Sequence, residues 1–340
     1  MDILNCRTLK VRAGERLSGA SCDHKKLALI HTGLALGASV LVSLLQMYLD
    51  RQIESAGGLA GLGTRSVLEG IRMVLQYAVD IALPFWEFGF VFVALRFARG
   101  EQTGTKDLTQ GFRHFGPVIR LYFIEMLLYI AVGFACIYAG SFLFSLTPMA
   151  VPVQELLLTM VEEGQSIEQM LTAIQTVHVE ELVRLMRPAL IIMGVLFAVV
   201  AVFLSYRFRM ARFIVMDEPR VGGILALILS SRMTKHHRLK LLRLDLSFWW
   251  FYLLVVLSRA VTNGDVLLDA VGITLPISGD MAWILTYVLG CLVQLVVYWQ
   301  FNGYVQTVYA TAYEELRQQP PEEPKPQPVP KNIPWDDRYQ

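Results

Sequence analysis

IRMVLQYAVDIALPFWEFGFVFVAL, residues 71–95, decides the fold class of this chain. Only Arg72, Asp80 and Glu87 carry charge in this stretch. It exceeds the ~20 mostly apolar residues that take a helix across ~30 Å of hydrocarbon. Working outward, five more apolar runs occupy residues 27–48, 121–147, 188–206, 246–262 and 281–309. Charge sorts between them: 24 of the 30 Lys and Arg residues fall in 1–26, 96–120, 207–245 and 310–340, which are alternate gaps. Cations are retained on the cytoplasmic side during insertion. The pattern therefore predicts an all-α polytopic membrane protein with six transmembrane helices and both termini cytoplasmic.

Composition agrees. With 54% hydrophobic and 17% charged residues, a 340-residue globule would lack the polar surface to stay in water. The net charge of +1 conceals a segregation by side, because the outward gaps carry Glu155, Glu162, Glu163, Glu168, Glu180, Glu181, Asp265, Asp269 and Asp280. A basic inner and acidic outer face predicts a plasma-membrane protein whose partners are the bilayer and its anionic phospholipid headgroups. Nucleic acid is not an expected partner, since each basic loop is bounded by spans. Cys6 and Cys22 lie in the basic N-terminal arm (1–26), and Cys136 and Cys291 lie inside spans. Cys22 and His24 lack further ligands, so neither a metal nor another cofactor is expected. The first apolar run has no small-residue cleavage site and reads as an uncleaved span. At the far end, 318–340 holds seven prolines and few apolar residues, which predicts a disordered tail. Its Pro-x-x-Pro spacings suit a protein partner's groove, although a spacer is the plainer reading.

Two polar segments look like more than linkers. Residues 148–187 have a helical period before and after Gly164, with a capping-box pattern at Ser166–Gln169. They predict two short amphipathic helices on the outer surface. Residues 220–244 pair an apolar segment around Ile224–Leu229 with Arg232, Lys235, Arg238, Lys240 and Arg243. This predicts one basic interfacial helix whose cations contact anionic lipid.

Chemistry inside a bilayer begins with ionisable side chains, each costing several kcal/mol unless paired or solvated. Asp80 and Glu87 are seven residues apart on one face of span two, with Pro84 between them. Glu125 of span three lies at a depth near Glu87, and Arg259 of span five at a depth near Asp80. Two readings follow. In one, Asp80, Glu87 and Glu125 line a polar path that shares a proton or holds a cation. In the other, Asp80 and Arg259 are a buried ion pair and the remaining carboxylates are structural. A solvated cavity reaching two or more of the carboxylates favours the first. A dry bundle with Asp80 against Arg259 favours the second.

No GxxxxGK[ST] loop, HExxH helix or GxSxG elbow is present, and no sizeable soluble segment exists to house a site, so no enzymatic activity is expected. The stretch 89–123 with its Gly111-Phe112 turn is one of three motif regions. Another is 207–254 with Asp217 and Pro219, Ser231 and Met233, and Leu246-Ser247-Phe248 with Trp250. The span-six exit with Tyr304 and Ala312-Tyr313-Glu314 completes the set. In these stretches the chain resembles the bacterial integral membrane family called domain of unknown function 975. The resemblance implies a bacterial membrane protein of this architecture and supplies no catalytic residues. The expected role is non-enzymatic, in membrane organisation or partner binding, with transport of a small solute or lipid as the alternative.

Overall fold

The apolar runs become helices because nothing in them interrupts the backbone ladder, and their ends are set by identifiable residues. The computed structural model describes residues 4–20, 22–55, 62–155, 179–270 and 279–318, and every regular element among them is helical. The helices are α1 (Cys6–Ser18), α2 (His24–Ser55), α3 (Leu62–Arg99), α4 (Gln110–Arg113), α5 (Phe115–Ser145) and α6 (Val179–Phe208). They continue as α7 (Ala211–Asp217), α8 (Gly223–Thr234), α9 (Arg238–Leu246), α10 (Trp249–Thr262), α11 (Gly264–Ala270) and α12 (Gly279–Arg317). The quoted stretch lies in α3, which runs through Pro84 without ending. It stops at Gly100, whose φ of +73° suits glycine. There the Gly100 amide donates to the Phe97 carbonyl and the Glu101 amide to the Arg96 carbonyl, both at 2.9 Å. This pair of bonds is a Schellman ending.

Among the described residues, five helices, α2, α3, α5, α6 and α12, are long and apolar enough to cross a membrane. The expected fifth span, 246–262, is different. α10 holds 14 residues, about 21 Å of helix and short of the ~30 Å core. It reaches span length only together with α9, from which it is bent by 63°. The bend is fixed by Phe248, which is buried at the junction with the Lys10 ammonium 4.2 Å from its ring centre. Burial there holds the Lys10 pKa below its ordinary value. Among the described residues the candidate spans are thus five long helices, with the bent pair as a sixth if it crosses as one unit.

Three other expectations change. The single interfacial helix over 220–244 is two helices, an apolar α8 and a basic α9, broken at residues 235–237. α8 does not lie free on the surface. Gly223 packs against the Leu121 backbone of α5, where an added Cβ would stand 2.7 Å from the Leu121 nitrogen. Ala226, Leu227, Ser230 and Thr234 of α8 are buried as well. Of the outer segment 148–187, residues 156–178 lie outside the described set. The described C-terminal part is no separate helix ending at Pro188, since α6 runs from Val179 through that proline. Finally, the N-terminal arm contains α1, capped by Asn5, whose side chain accepts from the Arg7 amide at 3.0 Å. Leu9, Ala13 and Leu17 form a buried stripe that docks α1 on α3 and α12. The proline tail beyond residue 318 lies outside the described residues.

Packing divides the bundle. α2, α3, α10 and α12 pack as one group, whereas α5 and α6 form a hairpin. Along the C-terminal half of α5 only Cys136, Gly140 and Phe144 are buried, on the stripe facing α6, where Gly140 meets Met193 and Phe144 packs in one cluster with Ala189. Phe134, Tyr138 and Phe142 are exposed there. The two groups are joined mainly at the basic end through α7 and α8. The largest core cluster is at that end too, built on Met210, Phe213, Val215, Met216, Phe248 and Tyr313.

Candidate functional site

Between the two groups lies a cavity of about 420 Å³ lined by residues of α2, α3, α5, α6, α7, α10 and α12. Glu87 of α3 lines this cavity, and its side chain is 62% exposed although it sits mid-helix. The cavity accounts for that exposure. Glu125 of α5 enters from the other side and is largely buried, at 14%. Between them stands Arg212 of α7, with guanidinium nitrogens 3.6 Å from Glu87 Oε2 and 3.9 Å from Glu125 Oε2. Those separations are Coulombic contacts, too long for hydrogen bonds. No hydrogen bond from the Arg212 side chain forms among the described residues, so its fork of N–H donors faces the cavity. A guanidinium between two carboxylates at membrane depth, with donors left over, can hold a polar guest.

A second cavity, about 430 Å³, extends toward the other end of the bundle and shares Glu87, His31 and Tyr298 with the first. Arg259, Gln294 and Asn263 line it. His31 is fixed between the two cavities. Trp86 Nε1 donates to the His31 carbonyl at 2.8 Å, and the His31 ring stacks on Trp86 and Phe90. His31 Nε2 lies 3.2 Å from the Trp86 carbonyl, which makes that nitrogen the donor and Nδ1 the acceptor. His31 Nδ1 and Thr32 Oγ1 are buried and have no hydrogen-bond partner. Buried polar atoms of this kind beside a cavity can be satisfied by an ordered water or another small polar molecule.

At the basic end of the first cavity, Arg209, Tyr252 and Tyr309 of its wall belong to a second cluster. Asp245, at the α9–α10 bend, accepts from Tyr206 Oη and Arg209 Nη1, each at 2.6 Å, and from Tyr309 Oη. Tyr252 and Tyr309 share a hydrogen bond of 2.7 Å, and the Arg209 guanidinium lies 4.2 Å above the Tyr309 ring. Outside it, Asp217 accepts from Arg99 at 2.6 Å and Tyr313 at 3.0 Å and pairs with Arg317 at 3.0 Å. Glu314 accepts from Arg99 at 2.7 Å. The motif residues Asp217, Tyr313 and Glu314 thus meet in one lock at the ends of α3, α7 and α12.

Of the residues singled out from the sequence, Glu87 and Glu125 are brought together. Asp80 is not part of the site. Its carboxylate accepts from Gln76 Nε2 at 3.0 and 3.1 Å, and no ion pair joins it to Arg259 among the described residues. Arg259 lines the second cavity instead. Equal depth along two spans requires straight helices starting from a common plane, and the α9–α10 bend breaks that condition. Lys235 and Arg238 share one groove, while Arg232 and Arg243 are exposed elsewhere on α8 and α9 and Lys240 lies on α9. Arg209, Arg212, His31 and Asp245 were missed. In the sequence the two arginines fall among the cations of a loop, although the apolar Phe213–Met216 that follows them is a sign that this segment turns inward. No cluster of metal-ligating side chains occurs among the described residues.

A family model described as a protein of unknown function (DUF975) matches residues 9–320. No curated protein and no solved structure matches the chain.

Proposed function

We propose that this chain, which belongs to the DUF975 family, carries a small polar solute across a bilayer through the cavity between its two helix groups. The observation that carries this reading is the convergence of Glu87, Glu125 and Arg212 on a cavity of about 420 Å³ that continues past His31 into a second one. Buried ion pairs that only stabilise a bundle close their hydrogen bonds, and the Asp217 and Asp245 clusters do so. The Arg212 triad does not. A guest with hydrogen-bond acceptors would meet Arg212, and a guest with an amine would meet the two carboxylates. In this reading the chain crosses a bacterial plasma membrane six times, the bent α9–α10 pair counting once. Both termini and the cation-rich end face the cytoplasm, in keeping with the charge segregation. The chemistry is carriage without bond making. A purely organising role would leave the cavity and the open donors of Arg212 without a purpose.

Single cysteines, introduced after replacing the four native ones, test the path. Glu87→Cys and Tyr129→Cys should react with a membrane-impermeant methanethiosulfonate in sealed vesicles, whereas Leu127→Cys on the exposed apolar face of α5 should not. If Glu87→Cys is as inert as Leu127→Cys, the cavity is dry and transport is withdrawn.

A further inference from the structure

A groove of about 480 Å³ runs between α6 and α9, away from the central cavity. Its walls are Val199, Val202 and Phe203 of α6 and Leu239 and Leu242 of α9, with Lys235 and Arg238 at its basic mouth. From Val199 to Tyr206 the wall covers two turns of α6, roughly 10 Å along the axis. The apolar side chains here are exposed, Val199 at 64% and Leu239 at 74%, and they continue the membrane-facing surface of α6.

The cations at the mouth differ from three of the arginines at this end. Arg99, Arg209 and Arg317 are each paired with carboxylates. Neither Lys235 nor Arg238 has an ion pair among the described residues. The Arg238 guanidinium is held 5.0 Å over the Phe203 ring, and its Nε is buried without a hydrogen-bond partner. An aromatic face fixes the position of a cation but leaves its in-plane donors for an anion. The α8–α9 break brings Lys235 beside it, and the 63° bend after α9 turns that helix away from the direction of α10.

We infer that this groove is a binding site for one anionic phospholipid, with an acyl chain against Val199, Val202 and Leu239 and the phosphate on Lys235 and Arg238. The pairing of an apolar trough with uncompensated cations at one end is the complement of an anionic amphiphile. It is not the complement of a neutral one, whose headgroup would leave both cations unbalanced. The inference narrows the lipid contact expected of five basic residues to two of them and adds a seat for the chain.

Native mass spectrometry of the full-length chain in detergent tests it, with 1-palmitoyl-2-oleoyl phosphatidylglycerol and the same-chain phosphatidylcholine as probes. The wild type should retain the anionic lipid in preference. K235Q/R238Q should lower that preference roughly tenfold or more, with retention of phosphatidylcholine and the melting midpoint nearly unchanged. R232Q/R243Q removes the same charge from exposed neighbouring positions and should lower the preference by less than about threefold. V199W fills the trough with the charges intact and should reduce retention of both lipids. Equal losses from the two charge pairs would mean a diffuse field and overturn the site. So would full retention by V199W, or a wild type indifferent to headgroup charge, which would point to a neutral chain or a protein segment instead.

Discussion

At the scale of residues, the contrast between Asp245 and Arg212 separates structure from function. Asp245 accepts three hydrogen bonds and is mostly buried, 14% exposed, as is its partner Arg209, at 22%. Removing one member of such a pair leaves the other charge uncompensated, a loss of roughly 3 kcal/mol or more. Asp245→Asn should therefore lower the thermal midpoint well beyond Glu69→Gln, which breaks an exposed i,i+4 contact with Arg65 worth about 0.5 kcal/mol. Adding Arg209→Met should recover part of the loss, and a double-mutant cycle measures the coupling. If Asp245→Asn costs no more than the surface control, the network does not stabilise the bundle. Glu87 and Glu125 were legible in the sequence because a carboxylate inside an apolar run is anomalous on its own. Arg209 and Arg212 were not, because the rule that sorts cations to one side explains every arginine near a span end as facing headgroups. Only the turn after Phe208 shows that Arg212 points back into the bundle.

At the scale of elements, hydropathy revealed the long helices and missed what joins them. The period of Leu9, Ala13 and Leu17 is visible in the sequence, yet a mainly polar arm gives no reason to expect a partner, and the surface that receives α1 is assembled from α3 and α12. The break between α8 and α9 was hidden for a similar reason. Its cause is tertiary, since α8 is drawn onto α5 by Gly223 while α9 is held by Asp245 and Phe248. Adjacent glycines give a controlled test of that docking. Gly222 has nothing within 4 Å of an added Cβ and an extended backbone at φ −66°, ψ 159°. Gly222→Ala should stay within about 0.5 kcal/mol of wild type. Gly223→Ala places its methyl 2.7 Å from the Leu121 nitrogen, so α8 must shift. The expected cost is ~1–3 kcal/mol, seen as a lower melting midpoint and faster tryptic cleavage at Arg220. Equal behaviour of the two variants would show that α8 does not depend on this contact.

At the scale of the whole molecule, the bundle is tied at its basic end and parted elsewhere, which gives it a direction. Asp217 is 6% exposed and joins α3 through Arg99, α12 through Tyr313 and Arg317, and α7 through its own backbone. α7 also carries Arg212, so the lock and the cavity wall share one helix. Asp217→Ala would strip three partners at once, and Arg99 and Arg317 would keep only Glu314 and Glu218. If the lock is the gate of the path, freeing α7 should open the cavity from the cation-rich side. Labelling of Glu87→Cys by an impermeant thiol reagent added on that side should then accelerate several-fold in the Asp217→Ala background. Labelling from the opposite side should be little changed, because the parted halves of α3 and α5 are not held by Asp217. The melting midpoint alone cannot separate a gate from a brace, since both roles lower it. Side-selective labelling does. A rate that stays equal on the two sides while the midpoint falls would make Asp217 a brace and move the gate to the Asp245 cluster.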